Sequence, residues 1–213
     1  MTGGAVGIDV GARTLHCARL DVRGAVLARA VLPAEDLDAL TRWCAGAAAV
    51  AIDAPEAPST APHSDDAALA PKFRRARCAE IDLGRRHQSW VSWVAPSGPP
   101  FPAWIETGFR AFAALRASGR RQLLEVYPHA CFRELAGGRR LARKQTAEGR
   151  HARAELLAAA GVRLDELEAP SHDDLDALVA ALTALGAVRG GARRVTCGHD
   201  GSAIWLPGRR STS

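Results

Sequence analysis

The sequence predicts an α/β fold with a mixed, five-stranded central sheet, helices on both faces and a C-terminal hairpin. Three observations predict it. Short apolar strands joined by turn residues open the chain, which is typical of an antiparallel meander. Later strands alternate with helical periodicity, which is typical of parallel crossover units. The length of 213 residues and the 47% hydrophobic content fit one domain with a single core.

The first half of the chain supplies the meander and the first parallel strand. Apolar runs predict strands at 5–10, 14–20, 24–32 and 49–53, and apolar side chains at helical spacing predict a helix at 35–44. Pro55 ends the fourth strand. The following stretch, 54–72, is rich in Pro, Ser, Ala and Asp and predicts a flexible loop.

The second half is mainly helical. Helical spacing predicts helices at 73–86, 102–117, 146–160 and 171–188, and apolar runs predict strands at 90–94 and 121–126. The helices before the fifth strand are insertions into the strand–helix pattern. Asp200-Gly201 predicts the turn of a hairpin spanning 194–207. Residues 208–213 predict a disordered tail.

Charge and cysteine usage indicate the environment of the protein. The formal net charge is +5, with arginine supplying nearly all the positive charge, and this is compatible with a polyanionic partner. The five cysteines form no CxxC pair, so we expect neither a disulfide framework nor a structural zinc site. No signal peptide and no apolar run long enough to span a membrane are recognisable. We therefore expect a cytoplasmic protein with no membrane partner.

Acidic residues stand where regular elements end. Asp9, Asp53 and Glu125 lie at the ends of predicted strands, and Asp173 and Asp176 share one face of the last long helix. Taken singly, each acid also has a structural explanation as a turn, a cap or a solvated side chain. Because strand ends in one sheet converge, we expect the five acids to cluster. Clustered carboxylates favour Mg²⁺ or Mn²⁺, and two such ions promote phosphodiester hydrolysis.

The motifs resemble those of an uncharacterised family of predicted RNase H-like nucleases (domain of unknown function 429). They are Gly7-Ile8-Asp9-Val10-Gly11, Ala51-Ile52-Asp53-Ala54-Pro55, Leu124-Glu125-Val126-Tyr127-Pro128-His129, Lys144-Gln145-Thr146-Ala147-Glu148-Gly149-Arg150 and His172-Asp173-Asp174-Leu175-Asp176-Ala177. Two of them are also similar to the acidic motifs of RuvC-type resolvases, which implies metal binding by Asp9, Asp53, Asp173 and Asp176. The resemblance implies a ribonuclease H-like fold and a Mg²⁺- or Mn²⁺-dependent nuclease, with Glu125 matching the predicted nucleases better than the resolvases.

Further residues are candidates for substrate contact. Arg77-Cys78-Ala79-Glu80 resembles the family's Arg-x-x-acid motif, with Glu in place of the more usual Asp. The predicted substrate-binding residues are Arg77, Glu80, His129, Lys144 and Arg150. Basic runs around 74–86 and 139–144 favour phosphate contact, although a solvated helix face explains them equally well. Trp90 and Trp93 can stack on bases, but core or loop anchors are the more common use of such residues.

Two other classes of function remain open from the sequence. Sugar kinases and other actin-like ATPases also begin with a strand that carries D-x-G, but they close two such domains around ATP. A non-catalytic scaffold that binds nucleic acid is the third reading. For the nuclease, RNA, DNA and branched DNA are all open as partners. A homodimer is also open, because resolvases cut two strands as dimers.

Overall fold

A mixed five-stranded sheet lies at the centre of the fold. In the computed structural model, which describes residues 3–164 and 169–208, the strands are β1 (Ala5–Val10), β2 (Thr14–Leu20), β3 (Val26–Pro33), β4 (Ala49–Asp53) and β5 (Leu123–Glu125). Their spatial order is β3-β2-β1-β4-β5. The first three strands pair antiparallel, whereas β4 is parallel to both β1 and β5. The mixed sheet predicted from the sequence is thereby confirmed.

Helices cover both faces of this sheet. Over the described residues they are α1 (Leu37–Trp43), α2 (Cys78–His87), α3 (Ala103–Ala117), α4 (Pro128–Leu135), α5 (Ala147–Ala159) and α6 (His172–Val188). On one face, α1 and α3 pack against the even-numbered side chains of β1, among them Val6 and Ile8. On the other face, α6 lies across β1, β2 and β4, with α4 and α5 packed against it.

The close packing of α6 on β1 depends on Gly7. Side chains alternate across a strand, so Ala5, Gly7 and Asp9 all face α6. A Cβ atom at Gly7 would lie 2.1 Å from the carbonyl oxygen of Ala177 and 2.2 Å from the amide nitrogen of Ala181. The helix backbone therefore rests directly on the strand. Because Gly7 lies two residues before Asp9 on the same face of β1, this contact also fixes the position of α6 next to Asp9.

A short hairpin ends the described chain, as the sequence predicts. It consists of β6 (Arg193–Val195) and β7 (Ile204–Leu206), which pair antiparallel. Trp205 forms a bridge with Val126, just beyond β5, and so joins the hairpin to the central sheet. Within the predicted tail, residues 209–213 lie outside the described residues. No helix in the described part of the chain is long and apolar enough to cross a membrane.

Three local predictions differ from the structure. The strand expected at 90–94 is absent; the amide of Ala95, directly after this segment, donates to Glu80 Oε1 at 3.0 Å rather than to a neighbouring strand. The single helix expected at 73–86 is divided into a 3₁₀ turn, Pro71–Arg75, and α2. Arg77 separates them in an extended conformation as the N-cap of α2. Helix α4, which begins at Pro128, was not assigned from the sequence.

The structure also contains one disulfide, which the sequence did not predict. Cys78, at the start of α2, is joined by a disulfide to Cys197, which lies 119 residues later in the loop between β6 and β7. Cys17, Cys44 and Cys131 are free and buried. Spacing along the chain gave no indication of this pair, because the hairpin returns to α2 only in the folded structure.

Candidate active site

Two carboxylates meet at the ends of neighbouring parallel strands. Asp9 and Asp53 are register partners in the β1–β4 pair, so the sheet itself places them side by side. The charge of Asp9 raises the pKa of Asp53, as expected for two carboxyl groups held close together. Asp9 is 9% exposed, and Asp53 is half-buried at the edge of a cleft. In the structure these two acids lie together at one edge of the sheet, as the sequence predicts.

Helix α6 brings a third carboxylate to the same place. Asp176 lies on the face of α6 that packs against β1, and only 3% of its surface is exposed. Its charge raises the pKa of both Asp9 and Asp53, so the three groups act as one cluster. The contact at Gly7 sets the height of α6 above the sheet and therefore the position of Asp176. We call Asp9, Asp53 and Asp176 the carboxylate cluster.

Asp173 lies one helical turn before Asp176 and nearer the surface. Its side chain is 33% exposed, and its Oδ1 lies 2.6 Å from Nδ1 of His172. Its charge still raises the pKa of Asp9 and Asp176. Asp174, between them, has a different role: it completes the N-terminal capping box of α6 with Ser171. Asp173 is thus a peripheral member of the site, and Asp174 is structural.

Lys144 supplies the positive charge in the carboxylate cluster. Its Nζ lies 2.6 Å from Oδ2 of Asp176. Burial lowers the pKa of Lys144, but the charges of Asp176, Asp9 and Asp53 outweigh this and raise it. The loop that carries Lys144 is held by Arg153, whose Nη1 donates to the carbonyls of Ala142 at 3.0 Å and Gly149 at 2.8 Å. Sequence reasoning missed Arg153, which is 4% exposed.

The cluster carries more negative charge than its surroundings neutralise. Burial, followed by the charges of Asp176 and Asp173, raises the pKa of Asp9 to about 7. Burial is also the main cause of the raised pKa values of Asp53 and Asp176. With all three carboxylates ionised, their negative charge would exceed the positive charge of Lys144 and Arg153, which both act on Asp176. Carboxylate oxygens are the donors that Mg²⁺ and Mn²⁺ prefer, so a divalent cation of this kind would balance the excess.

Glu125 belongs to a neighbouring network rather than to the cluster. Arg77 donates hydrogen bonds to both carboxylate oxygens of Glu125, from Nη1 to Oε2 at 2.7 Å and from Nη2 to Oε1 at 2.6 Å. The backbone amide of Glu56 also donates to Oε2 at 2.8 Å. Arg77 Nη2 donates in addition to Glu80 Oε1 at 3.0 Å. All three charged side chains are at least 96% buried, so this network forms the wall of the site.

A cleft of about 580 Å³ opens over both groups of charges. Asp53, Asp176, Lys144, Arg77, Glu80, Glu125 and His129 line it, together with the aromatic side chains of Trp93, Trp104 and Tyr127. Trp93 is 63% exposed. Trp90 instead packs against Phe73, with ring centroids 4.4 Å apart. One of the two tryptophans considered from the sequence therefore faces the cleft, and the other anchors a loop.

The remaining predicted substrate residues take different positions. His129 lies in the cleft, where burial and then the charge of Arg153 lower its pKa. Arg150 instead donates from Nη1 to the carbonyl of Gln145 at 2.7 Å and so braces the start of α5. Tyr127 and Trp104 were not selected from the sequence as site residues. In the sequence, the motif that ends in Tyr127-Pro128-His129 was the feature that could have indicated Tyr127.

Comparison with known proteins points to an uncharacterised family. Residues 103–200 match the family model described as Protein of unknown function (DUF429). The matched part carries Glu125, Lys144, Asp173 and Asp176, whereas Asp9 and Asp53 lie outside it. No curated protein and no solved structure gives a significant match.

Proposed function

We propose that this chain is an RNase H-like, Mg²⁺- or Mn²⁺-dependent nuclease that hydrolyses phosphodiester bonds of nucleic acid by a two-metal-ion mechanism. One observation carries the proposal: three carboxylates from β1, β4 and α6, of which Asp9 and Asp176 are buried and Asp53 is half-buried, converge and raise the pKa of Asp9 and Asp53. The strand order β3-β2-β1-β4-β5 supports the RNase H-like fold. The DUF429 match is compatible with it.

The carboxylate cluster would hold the cations. Asp9, Asp53 and Asp176 offer oxygen ligands from three separate elements, and Asp173 adds a fourth carboxylate at the periphery. When bound, such ions lower the pKa of water and stabilise the charge on the leaving oxygen. Burial and the neighbouring carboxylates raise the pKa of Asp9 to about 7, and a carboxyl group has to lose its proton to bind a cation, so we expect metal binding to release protons.

Other residues of the cleft bind and orient the substrate. Lys144 is 37% exposed, so its ammonium group can hold a phosphate oxygen at the mouth of the cluster. His129, whose pKa is lowered by burial, is neutral at pH 7 and can accept a proton. Trp93 offers an exposed ring on which a base can stack. The Glu80–Arg77–Glu125 network keeps this wall fixed.

Glu125 has an indirect role in this proposal. Its two oxygens are already bound by Arg77 and by the amide of Glu56. We therefore propose Asp9, Asp53 and Asp176 as the principal ligands and treat Glu125 as a positioning residue that holds the loop after Asp53. We further propose that the protein acts in the cytoplasm.

A cleavage assay tests the proposal. End-labelled single-stranded, duplex, RNA–DNA hybrid and branched substrates are incubated with the protein and Mg²⁺ or Mn²⁺. We expect cleavage of at least one substrate by the native protein and by Asp174→Asn, whose Asn can still cap α6. Asp53→Asn should abolish cleavage. ATP turnover without cleavage would instead support a phosphotransferase, and binding without cleavage would support a scaffold.

A further inference from the structure

A second cluster of metal-ligand side chains lies beside α2. His63 comes from the loop after β4, Cys78 begins α2, and Cys197 lies between β6 and β7. Nε2 of His63 lies 3.4 Å from Sγ of Cys78 and 3.9 Å from Sγ of Cys197. Three segments far apart in the chain therefore bring one imidazole and two sulfurs together.

We propose that His63, Cys78 and Cys197 bind Zn²⁺ when the two cysteines are reduced. Two thiolates and an imidazole form a donor set that zinc prefers over Mg²⁺. Tetrahedral zinc, with Zn–S bonds of about 2.3 Å and Zn–N bonds of about 2.0 Å, holds nitrogen and sulfur about 3.5 Å apart. In the disulfide-bonded form, Nε2 of His63 already lies 3.4 Å and 3.9 Å from the two sulfurs, and the sulfurs would separate on reduction to accommodate the ion.

Hydrogen bonds join the two segments that carry the cysteines. Cys78 occupies the first position of α2. Its backbone amide donates to Oδ2 of Asp200 at 2.9 Å, which ties the helix start to the loop that carries Cys197. The next amide, that of Ala79, donates to Oγ of Ser202 at 3.0 Å. These bonds hold the two cysteines close together independently of the disulfide.

The disulfide and the zinc site are alternative states of the same pair. A dithiol reductant gives two electrons and two protons to the Cys78–Cys197 bond and is itself oxidised to a disulfide. Zn²⁺ then displaces the two thiol protons, and three protein ligands leave a fourth position for water. In a reducing compartment the pair is available to the metal, which agrees with the proposed cytoplasmic setting.

The ion would clamp one wall of the cleft. Cys78 directly follows Arg77, which holds Glu125 and Glu80, and His63 belongs to the loop that begins at Asp53. Zinc would connect both to the C-terminal hairpin. This inference does not rest on the nuclease proposal, because its ligands and its preferred metal differ from those of the carboxylate cluster.

Zinc content tests the inference. The protein is reduced with a phosphine, mixed with ZnSO₄, desalted and analysed by mass spectrometry of the metal, with circular dichroism as a control for folding. We expect one zinc per chain in the native protein, in Asp9→Asn and in His151→Ala, an exposed histidine on α5. Cys197→Ser and His63→Ala should both lose it. Replacement of zinc by Co²⁺ should give a thiolate-to-cobalt charge-transfer band that is absent in Cys197→Ser.

Three results would overturn the inference. Reduced native protein without zinc would mean that the pair forms a disulfide only. Zinc retained by folded Cys197→Ser and His63→Ala would place the ion elsewhere, and its loss in Asp9→Asn would assign it to the carboxylate cluster. A failed cleavage assay would leave the zinc measurement unaffected, so the two proposals fail separately.

Discussion

Asn in place of Asp9 should stabilise the metal-free protein at alkaline pH. The pKa of Asp9 rises from 3.8 to about 7 in the fold, and each tenfold change in proton affinity is worth about 1.4 kcal/mol. Ionising Asp9 inside the folded protein therefore costs about 4 kcal/mol. An uncharged Asn avoids this cost, and it has nearly the same shape as the protonated acid.

The sign of the pH dependence follows from linkage. Between pH 4 and 7 the folded protein retains a proton on Asp9 that the unfolded chain has lost, so stability falls as the pH rises. Between pH 5 and 8 this residue alone should lower the free energy of unfolding by about 3 kcal/mol. Asp9→Asn should lack that part of the slope.

Urea unfolding in EDTA at several values between pH 5 and 8 measures both slopes. The matched control is Asp38→Asn, an exposed acid in the first turn of α1, which should follow the native protein. At pH 8 we expect Asp9→Asn to be the most stable of the three, and added Mg²⁺ should stabilise the native protein more than this variant. Equal slopes for the native protein and Asp9→Asn would refute the reasoning.

Three further substitutions test other parts of the structure. Arg77→Met should cost about 3–5 kcal/mol of stability by urea unfolding, because it leaves two buried carboxylates unpaired; a loss below 1 kcal/mol would contradict the network. Gly7→Ala should lower the melting temperature by displacing α6 from β1, whereas Gly98→Ala, with open space around it, should not. Trp93→Ala should weaken nucleic-acid binding in fluorescence anisotropy without loss of stability, whereas Trp90→Ala should lose stability through its packing on Phe73. The reverse pattern would place the stacking surface elsewhere.

Much of the carboxylate cluster was predictable because local rules determine it. An apolar strand that ends in an acid, repeated at Asp9 and Asp53, places two carboxylates at one edge of a sheet once the strands are parallel and adjacent. Asp176 was predictable because an acid within an apolar Ala/Leu helix cannot easily be explained as a cap. The mixed sheet followed from the same patterns of short strands and helical spacing.

Contacts between distant segments could not be predicted. Glu125 ends a strand as the other acids do, but Arg77, 48 residues away, takes both its oxygens. The pairing of Cys78 with Cys197 likewise depends on the hairpin returning to α2. The strand expected at 90–94 is absent, and the amide of the next residue, Ala95, donates to Glu80 rather than to a neighbouring strand. In each case the deciding partner is remote in sequence.

Calorimetric titration of the metal-free protein with Mn²⁺ tests most directly whether the carboxylate cluster is a metal site. The native protein and Asp174→Asn should bind Mn²⁺ with equal stoichiometry and release protons, as seen from the dependence of the heat on the buffer. Asp53→Asn, with its fold verified by circular dichroism, should show no such binding. Absence of Mn²⁺ binding to the native protein, or binding that persists unchanged in Asp53→Asn, would contradict the proposed metal site.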